Sequence, residues 1–141
     1  MGKCLVIKTD NSVIIEDLPD NEHLGGYISN IVRWQDYEYF ERVQFYSAKC
    51  QMWCNEAALC LQPPPPLNNI INIICRDPIL GNVVITGLDD EKGDVLPINE
   101  NIEEFANSLK NIVNEDNELK ERSTIDTICM LAQKYKFVMF G

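Results

Sequence analysis

The tetrapeptide Trp53-Cys54-Asn55-Glu56 sets an aromatic ring and a thiol beside an amide and a carboxylate. A small-molecule pocket needs aromatic faces and a few convergent polar groups. With Tyr27 added, the candidate ligand-binding set is Tyr27, Trp53, Asn55 and Glu56. A plainer role is open to Asn55 and Glu56, because polar side chains at a strand end commonly bond to the backbone. Catalysis here would need Cys54 as nucleophile, His23 as base and Glu56 beside them. Nothing in the sequence converges on His23, the single histidine, so a turn or surface position is the simpler reading. The patterns G-x-G-x-x-G, G-x-x-x-x-G-K-[ST] and G-x-S-x-G do not occur. No catalytic residue is assigned.

Metal chemistry finds equally little support. The six cysteines are Cys4, Cys50, Cys54, Cys60, Cys75 and Cys129. Their cluster reads C-x3-C-x5-C, which is not the paired C-x2-C of a zinc knuckle. Several sit in apolar runs, where cysteine packs as a small hydrophobe, so buried free thiols and a reducing, intracellular location are expected. The acids Asp89, Asp90, Glu91 and Asp94 do not follow the alternating ligand pattern of a calcium loop. No metal and no cofactor is assigned.

Charge narrows the partners. The chain of 141 residues carries −10, and residues 88–126 hold twelve acids against Lys92, Lys110, Lys120 and Arg122. Such a chain is repelled by phosphate backbones, so nucleic acid is disfavoured as a partner. The acidic segment reads as a solvated helix face, with mimicry of nucleic acid towards a basic partner as the sharper alternative. No apolar run reaches the roughly 18 residues of a membrane span. The start does not read as a signal peptide, since its apolar run, Cys4 to Ile7, is only four residues between lysines. Gly2 suits myristoylation, but Val6 stands where Ser or Thr is wanted.

The elements that must position these groups follow from periodicity. Residues 82–86 are β-branched and uncharged, closed by Gly81 and Gly87, and read as a central strand apolar on both faces. Residues 4–7 and 13–15 make a hairpin about the polar turn 9–12. Residues 17–24 suit one or two helical turns stopped by Gly25-Gly26, after which 27–34 resumes an extended pattern. Residues 35–41 read as an exposed aromatic loop, and 43–46 and 51–54 as strands about a turn at 47–49. Residues 57–61 suit a strand or a helical turn, and 70–75 a helix or a strand. The run Pro63-Pro64-Pro65-Pro66 must be polyproline II, as a stiff linker rather than a docking motif. Residues 95–96 pair back onto the central strand after an acidic loop. Asn99 caps a helix whose stripe Ile102, Phe105, Ala106, Leu109, Ile112 and Val113 packs on the sheet. A second amphipathic helix carries Ile125, Ile128, Cys129 and Ala132, and the apolar end 135–140 docks here or on another subunit.

Three pieces then fall in a recognisable order: Leu24-Gly25-Gly26-Tyr27-Ile28, then Cys54-Asn55-Glu56, then the glycine-bounded strand and Leu88-Asp89-Asp90. This resembles the domain-of-unknown-function family 3846 (DUF3846) of phages, plasmids and large DNA viruses. Its members look like G-G-Y-I-E, C-N-E-x-G, Leu-Pro-x-Asn-Arg and G-x-x-x-x-x-G. The resemblance covers residues 4–106. Ala57 and Ala58 replace the usual Gly-Lys, and the proline run with Leu67-Asn68-Asn69 lacks the arginine. The resemblance implies a viral or mobile-element origin, not a mechanism.

The expectation is one α+β domain over residues 1–141, with 107–141 as a C-terminal helical extension. A mostly antiparallel sheet has one helix packed on it and a C-terminal helix appended. The expected function is that of a small non-enzymatic accessory protein in the host cytoplasm. It binds a host protein or a small-molecule ligand, with a role against host defence. The alternatives are a cysteine-dependent enzyme and a virion component that forms a homo-oligomer through its C-terminal tail.

Overall fold

The computed structural model describes residues 2–44, 50–74, 78–98 and 101–114. Five strands form one sheet: β1 (Lys3–Ile7), β2 (Val13–Asp17), β3 (Phe40–Gln44), β4 (Cys50–Asn55) and β5 (Val83–Gly87). The order is β2-β1-β5-β4-β3, and every pairing is antiparallel. The β-branched run is the central strand, as its two-sided apolar character demands: every residue of β5 is buried. Its register sets Ile85 opposite both Leu5 and Met52.

Alternation along the strands builds two apolar layers. On one face Leu5, Ile7, Cys50, Met52, Cys54, Val83 and Ile85 meet two helices, α2 (Asn69–Ile74) and α3 (Ile102–Asn114). The apolar segment left open as helix or strand is thus the helix α2. The stripe of α3 buries Phe105, Ala106 and Leu109 as its period predicts. Asn101 stands before it and accepts from the Glu104 N–H at 3.3 Å. The capping role expected of Asn99 lies outside the described residues, as do the turn at 47–49, the second amphipathic helix and the apolar end 135–140.

The opposite face corrects the reading of residues 17–34. Helix α1 (Asn21–Val32) runs straight through Gly25-Gly26 and includes the segment expected to be extended. Asp20 caps it by accepting from the His23 N–H at 3.0 Å. Leu24, Ile28 and Val32 recur every fourth residue, so one stripe meets Cys4 and Val84 of the sheet. Both glycines are exposed, and neither has the positive φ of a helix stop. Each costs about 1 kcal/mol against alanine in a helix, which burial of three large side chains more than offsets. The sheet therefore carries helices on both faces, not on one.

The connections also differ in detail. A short 3-10 turn (Ala58–Cys60) follows β4. The proline run is tied down: the Trp34 indole N–H donates to the Pro63 carbonyl at 2.7 Å, and the Gly81 N–H to that of Pro66 at 2.7 Å. Residues 95–96 pair back as expected, but just past the strand, with Asp89 opposite Val95 and the Gly87 N–H on the Leu96 carbonyl at 2.8 Å. No helix among the described residues is long and apolar enough to cross a membrane.

Candidate functional site

The end of β4 is where the sequence runs from apolar to polar, and it opens a pocket of about 160 Å³. Cys54 and Glu41 point into it from β4 and its edge neighbour β3, where they are register partners. The backbone then leaves the sheet, and residues 55–60 form one wall while Pro78, Ile79 and Leu80 form the other. An antiparallel bridge between Leu67 and Leu80 brings that second wall into place. A second cavity of about 30 Å³, between Trp34, Pro65 and Gly81, has room for little more than a water.

Asn55 shapes the corner. It is buried, its Oδ1 accepts from the Ala57 N–H at 2.9 Å, and its Nδ2 donates to the carbonyls of Val32 at 3.2 Å and Tyr37 at 3.4 Å. One amide thus ties the end of β4 to the end of α1 and to the loop before β3. Glu56 is exposed at the rim and accepts from the Tyr37 hydroxyl at 2.6 Å. That bond, more than any other cause, pushes the Tyr37 hydroxyl up to about 12, so it stays a neutral donor.

The four candidate residues do not converge. Asn55 and Glu56 line the pocket, whereas Trp53, one residue before Cys54, faces the other side of the sheet. There its indole N–H donates to Thr86 Oγ1 at 2.9 Å, Phe40 packs edge-on against it, and the Arg42 guanidinium lies 5.9 Å from its ring centre. Arg42 itself is held by Asp89 at 2.8 Å. Tyr27 also packs in the α1 layer, with its hydroxyl 3.8 Å from Cys4 Sγ, and burial raises its pKa. Sequence reasoning missed Glu41, Leu59, Cys60 and Leu80. The aromatic run Tyr37, Tyr39 and Phe40 was the available signal for this neighbourhood; residues 78–80 arrive through long-range pairing that no local pattern announces.

The arrangement does not favour thiol catalysis by Cys54. Burial first, and the Glu41 carboxylate second, push its thiol up to about 12. His23 sits in the first turn of α1, on the opposite face, with Nδ1 at 2.6 Å from Asp20. The Cys54 thiol is held in its protonated, poorly nucleophilic form. Alkylation of the native protein is therefore expected to reach the exposed Cys60 before the buried Cys4, Cys50 and Cys54. Peptide mapping after a short iodoacetamide pulse reads this out, and modification of Cys54 first would revive the nucleophile. Asp20, Glu22 and His23 bring exposed ligand atoms within 4.8 Å of one another, but Asp20 Oδ1 is already engaged by His23 and the helix end.

The three sequence fingerprints fall on separate elements. Gly25-Gly26-Tyr27-Ile28 lies in α1, Cys54-Asn55-Glu56 turns the end of β4, and Gly81 and Gly87 bracket β5. Comparison with curated proteins and with solved structures returns no match. A family model described as a domain of unknown function, DUF3846, matches residues 3–110, and the chain belongs to that family.

Proposed function

We propose that this chain is a small non-enzymatic accessory protein of a virus or mobile element. On this reading it acts by binding in the host cell, and its site is the pocket at the end of β4. The observation that carries the reading is the position of Asn55 and Glu56. Glu56 stands at the rim of a preformed concavity and Asn55, its amide bonded to the backbone, fixes the corner, with the thiol beneath held protonated. Small-molecule sites typically enclose about 300–1,000 Å³. At about 160 Å³ this one suits a single side chain or a compact ligand. A host protein is thus the favoured partner, and interference with a host defence is the role such a protein would play.

Amide NMR tests the site. Short peptides and small fragments of positive, negative and zero charge are titrated into the labelled protein. At least one class is expected to shift the amides of residues 57–60, 79 and 80 in a saturable way. Cys60→Phe, at an exposed wall position, should fill the pocket and abolish the response. If no class perturbs these amides, the pocket is not a binding site.

A further inference from the structure

We infer that the pocket receives a basic side chain, lysine or arginine, presented by a partner protein. This rests on the pocket being the binding site. Among the described residues two carboxylates line it, Glu41 and Glu56, and no Lys, Arg or His does. Glu41 is exposed and makes no ion pair with the described residues. Its neighbour Arg42 is turned to the other face by strand alternation and is held there by Asp89 at 2.8 Å. Glu56 accepts from the Tyr37 hydroxyl, a neutral donor, at Oε1 and makes no ion pair with the described residues. The whole chain carries −10, which adds a field that attracts cations.

Below the carboxylates the walls change character. Ala57, Ala58, Ile79 and Leu80 are apolar, and the Cys54 thiol at the base is protonated. An apolar shaft under a charged rim matches a side chain with a methylene stem and a cationic head, because lysine and arginine bury the stem and leave the head wet. The rim distinguishes a protein-borne cation from a free amine. Tyr39 and Leu59 are each 64% exposed, the most exposed large hydrophobic side chains among the described residues. Leu59 lines the pocket, and Tyr39 stands edge-on to Tyr37, 5.4 Å between ring centres. A free amine needs no such collar, whereas a peptide backbone and its flanking side chains would cover it. An exposed tyrosine face also attracts a cation.

The test uses the full chain and five probes: acetyl-Gly-Arg-Gly-amide, acetyl-Gly-Lys-Gly-amide, acetyl-Gly-citrulline-Gly-amide, acetyl-Gly-Glu-Gly-amide and free n-butylguanidinium. Affinities are read from the shifts of amides 57–60, 79 and 80. The arginine and lysine peptides are expected to bind about tenfold tighter than the neutral citrulline and anionic glutamate peptides, and to weaken as salt is raised. Glu41→Gln and Glu56→Gln each cut the cationic affinity about threefold while leaving the weak citrulline response unchanged. Both positions are exposed, and glutamine still accepts from Tyr37, so the fold is retained. Citrulline or glutamate binding as tightly as arginine would overturn the inference while the pocket stands as a site. Free n-butylguanidinium matching the arginine peptide would overturn the protein-borne source. Silence from all five probes would overturn the inference and the binding reading together.

Discussion

Asn68→Ala is expected to lower the unfolding free energy by about 3–5 kcal/mol. The residue is 0% exposed and uses its whole amide. Nδ2 donates to the carbonyls of Ile7 at 3.1 Å and Gly81 at 3.0 Å, while Oδ1 accepts from the Ile71 N–H at 3.2 Å. One side chain therefore joins the end of β1, the approach to β5 and the first turn of α2. Alanine leaves two buried acceptors and one helix-end donor without partners, at about 1–3 kcal/mol for each buried group before relaxation. Asn68→Asp separates the contributions. It keeps the acceptor for Ile71 but sets a carboxylate against two carbonyl oxygens, so at neutral pH it should be at least as damaging as alanine. Acidification should restore part of the loss, because the protonated acid regains one donor. Urea unfolding at pH 7 and pH 5 measures both variants; a loss below about 1 kcal/mol for alanine would mean that these bonds contribute no more than a single ordinary one.

Gly87→Ala is expected to be the other severe change, at about 2–4 kcal/mol. Gly87 closes β5, and a Cβ there would lie 2.7 Å from the Leu96 carbonyl oxygen and closer still to that of Pro97. Both obstacles are backbone, so no rotamer change relieves them. The segment 95–98 would have to lift from the sheet, straining the Gly87 N–H bond to Leu96 and the Ile98 N–H bond to the Lys3 carbonyl, 3.0 Å. It also leads into α3, whose stripe fills one apolar layer. Gly25→Ala is the control: nothing lies within 4 Å of its Cβ position, and the residue is helical. There alanine should stabilise by about 0.5–1 kcal/mol. Thermal melts of the two variants should move in opposite directions; a melt of Gly87→Ala at the wild-type temperature would show that residues 95–98 yield freely.

Periodicity carried the reading of the fold as far as it could. The centre of the sheet was legible because residues 83–86 are apolar on both sides, and α3 because its stripe has the helical period. Helix α1 was missed through weight given to Gly25-Gly26 as punctuation. The spacing of Leu24, Ile28 and Val32 held the better signal, and burial against Cys4 and Val84 decides the outcome. Helix α2 is too short an apolar run for periodicity to separate helix from strand. At the site, Asn55 and Glu56 were legible as polar residues ending an apolar strand. Trp53 was grouped with them although alternation puts it on the other face from Cys54. Glu41, Ile79 and Leu80 join only through pairings between distant segments, which one sequence does not display.

The strand order also sets a schedule. β1 and β2 can pair as soon as both are made, but the inner edge of β1 stays open until β5 is available. Ile7 and Val83 are neighbours across that seam with most of the described chain between them. β3 and β4 likewise form a separate hairpin with one open inner edge, and β5 is the piece that joins the two. The core thus assembles from two hairpins waiting for a late keystone, a non-local closure that slows folding. Until β5 is inserted both inner edges are unpaired, so the yield of refolding is expected to fall as protein concentration is raised.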